Sequence, residues 1–90
     1  MAMHLIISGR VQGVGYRAWF AEEARGRGLN GWVRNRREGT VEAVVAGEPT
    51  SLDALIEACW QGPPASDVHA VGVGKWSAEV GSGIQVLPTL

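Results

Sequence analysis

The stretch Gly9-Arg10-Val11-Gln12-Gly13-Val14-Gly15-Tyr16-Arg17 joins an apolar, strand-like run to a helix-like one. Its two inner glycines allow backbone conformations that turn successive N–H groups toward one point. No Ser, Thr, Asp or Asn stands where the following helix needs an N-cap, so its first N–H groups lack a side-chain acceptor, and an anion could serve as one. Arg17 then falls in the first helical turn, at the positive end of the helix dipole. That placement is unfavourable unless negative charge lies beside it. The chemistry suggested is capture of a small phosphate-like anion; the plain alternative is a glycine-capped helix carrying an exposed arginine.

Other chemistries lack their residues. There is no GxxxxGK[ST] loop, no HExxH, no CxxC and no close acidic cluster, so no metal site is expected. His4 lies in a strand-like run and His69 just before another, neither with an adjacent nucleophile. Cys59 falls on the apolar face of a helix, where a buried thiol is expected rather than a reactive one.

The elements that must position Arg17 follow from periodicity. His4–Val11 reads as a strand, and Tyr16 to Gly26 or Gly28 as a helix with Tyr16, Phe20 and Ala24 on one stripe. Leu29–Asn35 and Thr40–Ala46 read as strands joined in a hairpin by the turn 36–39. Pro49 and Thr50 open a second helix, with Thr50 and Asp53 spaced as a capping box and Leu52, Leu55, Ile56 and Cys59 on its apolar face. Gly62-Pro63-Pro64 ends it. A fourth strand is predicted around 70–79 and a short fifth around 84–87.

This β-α-β-β-α-β order with an extra C-terminal strand predicts an α+β, ferredoxin-like sandwich: two helices on one face of a mostly antiparallel sheet, in a single domain over residues 1–90. In that topology strands one and two are parallel with strand three between them. The loop after Val11 and the end of strand two at Asn35 then lie at the same edge, about 10 Å apart. Asn35 is thereby a second candidate, although an Asn before a hairpin turn also serves turn geometry.

Composition agrees. A 90-residue chain with 19% charged residues and a net charge of −1 is one small folded domain, too short for two cores and too weakly charged for charge-driven disorder. The charge is unevenly spread. Residues 1–37 carry seven arginines against Glu22 and Glu23, a net +5, whereas the remainder has Lys75 against seven carboxylates, a net −6. A local anion site suits this better than a polyelectrolyte partner. One cysteine and the lack of a signal peptide or a membrane-spanning apolar run make the cytoplasm the expected compartment.

Residues Gly9 to Arg17 resemble the first signature of the acylphosphatase family without a gap. Gly31-Trp32-Val33-Arg34-Asn35 followed by Gly39, Val41 and Gly47 resembles the second. The resemblance covers essentially the whole chain, and the one departure is Ile84, where the family often has an aromatic. It implies hydrolysis of acyl phosphates to a carboxylate and inorganic phosphate, without cofactor or metal. It also implies Arg17 as the phosphate-binding catalytic arginine and Asn35 as the residue orienting the attacking water. The backbone of Gln12, Gly13, Val14, Gly15 and Tyr16 would be the phosphate-binding loop. The implied partners are a small-molecule acyl phosphate and, as product and competing ligand, inorganic phosphate, with no nucleic acid, no membrane and a monomeric chain.

The rival class is a binding module, because ferredoxin-like sheets also carry RNA. Thr40–Ala46 has no aromatic where an RNA-binding strand three needs them. A non-catalytic domain of the same family is disfavoured by the presence of both Arg17 and Asn35. Arg34, Arg36 and Arg37 are expected on a solvated hairpin, and nothing in the spacing selects a role for Trp19, Trp32, Trp60 or Trp76.

Overall fold

Alternation in the first strand sends Leu5 and Ile7 to one face of a sheet and His4 and Ile6 to the other. In the computed structural model, which describes residues 1–90, the elements run β1 (Ala2–Arg10), α1 (Tyr16–Gly26), β2 (Asn30–Asn35), β3 (Val41–Ala46), α2 (Pro49–Gln61), β4 (Asp67–Lys75) and β5 (Ile84–Val86). They form one five-stranded sheet in the order β4-β1-β3-β2-β5. All neighbours are antiparallel except β5, which lies parallel to β2. β3 therefore separates the parallel pair β1 and β2, as expected. Ile7, Val41 and Asn35 share one row across the three strands.

The helices cover one face. Tyr16, Phe20, Ala21 and Ala24 of α1 and Leu52, Leu55 and Cys59 of α2 are buried with Leu5, Ile7, Val33, Val41, Ala43 and Val45 in a single core. The Tyr16 hydroxyl donates to the Cys59 carbonyl at 2.7 Å, a buried bond that joins the two helices. Burial raises the Tyr16 phenol well above its ordinary range and pushes the Cys59 thiol up to about 12, so neither ionises near neutrality.

Two local expectations are corrected. Thr50 and Asp53 form no capping box: Pro49 occupies the first helical position, which suits its fixed φ, so Glu48 becomes the N-cap and the Leu52 N–H bonds to its carbonyl at 3.0 Å. Thr50 is already inside the helix. β4 spans 67–75 rather than 70–79. Its start is extended by a register shift at Ser8/Gly9 that carries pairing on to Arg10↔Asp67, and its pairing with β1 ends at Met3↔Lys75.

The face away from the helices is also closed over at its centre. Glu42 of β3 is only 7% exposed. It accepts hydrogen bonds from Arg34 Nε at 2.8 Å and Arg36 at 3.1 Å, and lies 2.6 Å from His4 Nε2. Arg34 lies 4.7 Å over the Trp32 ring, Trp32 meets Trp76 edge-to-face, and Trp76 stacks on His4, which closes a ring of contacts back to Glu42. Burial alone would raise the Glu42 carboxyl, but the bonds from His4, Arg34 and Arg36 outweigh it and hold the group at about 2.

A carboxyl lowered on folding stabilises the native state above its unfolded value of 4.5 and loses that contribution as pH falls toward 2. Glu42→Gln should cost about 2 kcal/mol near neutral pH, because charge-assisted bonds to two arginines are weakened. Urea midpoints of the two proteins should converge between pH 4.5 and 2; a gap that stays constant over that range contradicts the assignment.

Candidate active site

The segment between β1 and α1 is held in a conformation that only its glycines accept without strain. Gly13 and Gly15 have φ of 73° and 77°, and Gly15 is the left-handed N-cap of α1, with no side-chain cap. The first intrahelical bond is Trp19 N–H to the Gly15 carbonyl at 3.0 Å. The N–H groups of residues 12–18 donate to no backbone or side-chain acceptor of the chain. The loop and the first turn of α1 therefore carry free donors at the positive end of a helix dipole, as the missing N-cap residue indicated.

A cleft of about 290 Å³ opens there, lined by Val11, Gly13, Gly15, Tyr16, Arg17 and Ala18 from one side and by Asn35 and Val86 from the other. Arg17 and Asn35, 18 positions apart in sequence, share this wall because β3 seats β1 and β2 in parallel, one strand apart. Arg17 forms no ion pair; its one hydrogen bond runs from a terminal nitrogen to the Leu87 carbonyl at 3.3 Å. The Asn35 carboxamide has no partner within the chain, so both its donor and its acceptor are available. A guanidinium held by one bond, unpartnered N–H donors and a free carboxamide on one cleft are groups that can bind a tetrahedral oxyanion and leave one polar group for a further small molecule.

Of the five residues of the expected loop, Gly13, Gly15 and Tyr16 line the cleft. Gln12 and Val14 do not: Val14 packs against the core, and the Gln12 side chain turns to the β2–β3 hairpin. Residues 86–90 were not anticipated in the site. Val86 lines the cleft, Leu87 N–H bonds to the Val33 carbonyl at 2.8 Å, and Leu90 N–H bonds to the Asn35 carbonyl at 3.1 Å. Only the short apolar run 84–87 hinted at a fifth strand, and nothing in Pro88-Thr89-Leu90 signals contact with Asn35.

The family model described as Acylphosphatase matches residues 3–83. The chain belongs to the acylphosphatase family. A curated acylphosphatase from Azorhizobium caulinodans is 52% identical over 89 residues, covering 98% of this chain and 96% of that one. Among solved structures, the acylphosphatase from Bacillus subtilis superposes with a TM-score of 0.91 at 37% identity, covering 96% of this chain and 97% of its own. An acylphosphatase from Coxiella burnetii gives 0.92 at 37% identity over 96% and 90%.

Outside the cleft, the aromatic and arginine side chains of the open sheet face are engaged with one another. Trp32 and Trp76 do lie on the open sheet face, but they contact each other, with Arg34 over Trp32 and His4 on Trp76. Arg34 and Arg36 are engaged with Glu42 rather than placed on a solvated hairpin, because Glu42 sits between them on the central strand. Ile84, the one departure from the family pattern, is 6% exposed and belongs to the core, so the change concerns packing rather than the rim of the site.

The Cβ of an alanine at Gly15 would meet nothing within 4 Å, so the cost of Gly15→Ala arises from φ alone. About 1 kcal/mol of stability should be lost. As the cradle relaxes, affinity for inorganic phosphate should fall about tenfold, the worth of one charge-assisted bond. Gly26→Ala, in equally open space at an ordinary helical φ, should be neutral or stabilising. Urea denaturation and titration calorimetry check both; phosphate affinity unchanged by Gly15→Ala contradicts the cradle.

Proposed function

We propose that this acylphosphatase hydrolyses acyl phosphates by in-line attack of water on phosphorus, with Arg17 and Asn35 as its catalytic side chains. The observation that carries the reading is the single cleft in which the Arg17 guanidinium, the free N–H groups after β1 and the unpartnered Asn35 carboxamide converge.

An acyl phosphate, R–CO–O–PO₃²⁻, is a mixed anhydride whose leaving group is a carboxylate of pKa about 4, so departure at neutral pH needs no general acid. What the reaction needs is a fixed phosphoryl group, neutralised charge and a water opposite the leaving oxygen. Arg17 and the backbone of residues 12–17 hold the phosphoryl oxygens, and the Arg17–Leu87 bond keeps the guanidinium aimed. The Asn35 carboxamide oxygen accepts a hydrogen bond from the water and orients the water's lone pair toward phosphorus.

As the new O–P bond forms, the P–O bond to the acyl group breaks and its electron pair leaves with the carboxylate. The proton of the attacking water passes to a phosphoryl oxygen of the substrate, since the cleft contains no Asp, Glu or His to take it. The products are R–CO₂⁻ and H₂PO₄⁻, and no cofactor or metal is called for. Inorganic phosphate then competes with substrate for the same donors. We take the enzyme to act as a monomer. No helix is long and apolar enough to cross a membrane. We place the enzyme in the cytoplasm, acting on a small-molecule substrate with no nucleic-acid or membrane partner.

Hydrolysis of benzoyl phosphate in EDTA should be fast for the wild type. It should fall by at least about 100-fold in Arg17→Ala and Asn35→Ala, each shown folded by circular dichroism, as befits loss of a principal electrostatic or positioning group. Arg17→Lys should recover little, because an ammonium cannot bind two phosphoryl oxygens as a planar fork. A folded wild type without turnover sinks the reading.

A further inference from the structure

Residues 12–14 neither donate nor accept a backbone hydrogen bond. The positive φ of Gly13 and Gly15 sets the shape of that loop, so a hydrogen-bonded link from it to neighbouring elements falls to its side chains. The Gln12 side chain is the hydrogen-bond tether available to it. Its Nε2 donates to the Arg36 carbonyl at 2.7 Å and to the Thr40 carbonyl at 2.9 Å, across 24 and 28 positions of sequence.

Those two carbonyls bracket the β2–β3 turn. Arg36 N–H bonds to the Thr40 carbonyl at 2.9 Å and Gly39 N–H to the Arg36 carbonyl at 3.0 Å, so each carbonyl uses its second lone pair for Gln12. Asn35 immediately precedes the bracketed segment. From the opposite face Glu42 grips the side chains of Arg34 and Arg36, on either side of Asn35. The other connection between the two sides of the cleft is indirect, through Leu87 and Leu90 of the C-terminal segment.

We propose that Gln12 is a positioning residue: its carboxamide, bonded to the Arg36 and Thr40 carbonyls, fixes Asn35 relative to the phosphate-binding loop. The proposal rests on the role given above to Asn35, and adds to it the part that sets where Asn35 stands. A primary amide is the group the geometry calls for, because two carbonyl acceptors require two hydrogens on one atom. A shift of about 1 Å between a bound group and its partner can cost about 100-fold in rate. Phosphate binding depends on Arg17 and backbone N–H groups, none of which is a Gln12 side-chain atom.

Gln12→Met keeps length and neutrality and removes both donors. It should lower kcat for benzoyl phosphate by about 10- to 100-fold. The Kd for inorganic phosphate should stay within about threefold, less than the tenfold that the loss of one good contact brings. Rates are compared per folded molecule, well below the thermal midpoint, so that mere loss of stability does not register. Gln12→Asn, which keeps the donors but falls one methylene short, should show the same split and serves if the Met variant does not fold. Unchanged kcat overturns the proposal. So does phosphate affinity that falls in step with kcat, which would assign Gln12 to the loop alone. Wild type and Asn35→Ala are measured in the same series: an inactive wild type or a fully active Asn35→Ala removes the reading underneath, whereas normal behaviour of both leaves only the Gln12 statement at stake.

Discussion

Seven consecutive backbone N–H groups, those of residues 12–18, have no acceptor within the chain. The first turn of any helix leaves such groups over, but here the preceding loop adds its own, and clustering them at one end of a helix dipole concentrates positive potential in a small volume. Everything around the cleft follows from tolerating that cluster. Gly13 and Gly15 hold the turn, Tyr16 and Phe20 anchor the helix behind it, and Arg17 adds a full charge to the partial ones. The surroundings must be stiff, since donors that could swing toward a carbonyl of the chain would satisfy themselves and the site would vanish.

Stiffness is supplied mainly by β3. As the middle strand it is covered on both faces, by the helices on one side and by the His4, Arg34, Trp32 and Trp76 contacts on the other. Its neighbours β1 and β2 present the two halves of the cleft. Glu42 thus has a structural part at some distance from the chemistry. A carboxylate buried at the centre of the open face pairs with the two arginines that flank Asn35, and Arg17 is the arginine that lines the cleft.

Most of this was legible in the sequence where a residue has few physical alternatives. Spacing of four on α1 admits one reading, and the stripe of Tyr16, Phe20 and Ala24 that it gives is buried in the core. The strand order alone puts Asn35 beside the loop. The capping box failed because two helix-start signals, Pro49 and Thr50, compete within one turn and proline's fixed φ wins. Glu42 looked like one more carboxylate in an acidic half, because a buried ionic cluster depends on partners 8 and 38 positions away that no local pattern displays. The Gln12 tether and the 86–90 contacts escaped for the same reason: side chain to distant carbonyl, and backbone to backbone, are bonds with no residue-type signature.

The contacts of Leu87 and Leu90 also tie the cleft to a lightly held margin of the sheet. β5 is three residues long and pairs on one side only, with β2. Short edge segments open locally at lower free energy than the strands inside a sheet, so residues 86–90 can fray while β1, β3 and both helices stay packed. The Leu87 carbonyl that Arg17 bonds and the Leu90 N–H that bonds beside Asn35 would leave together. Fraying at this edge therefore loosens both walls of the cleft at once without unfolding the core that carries them.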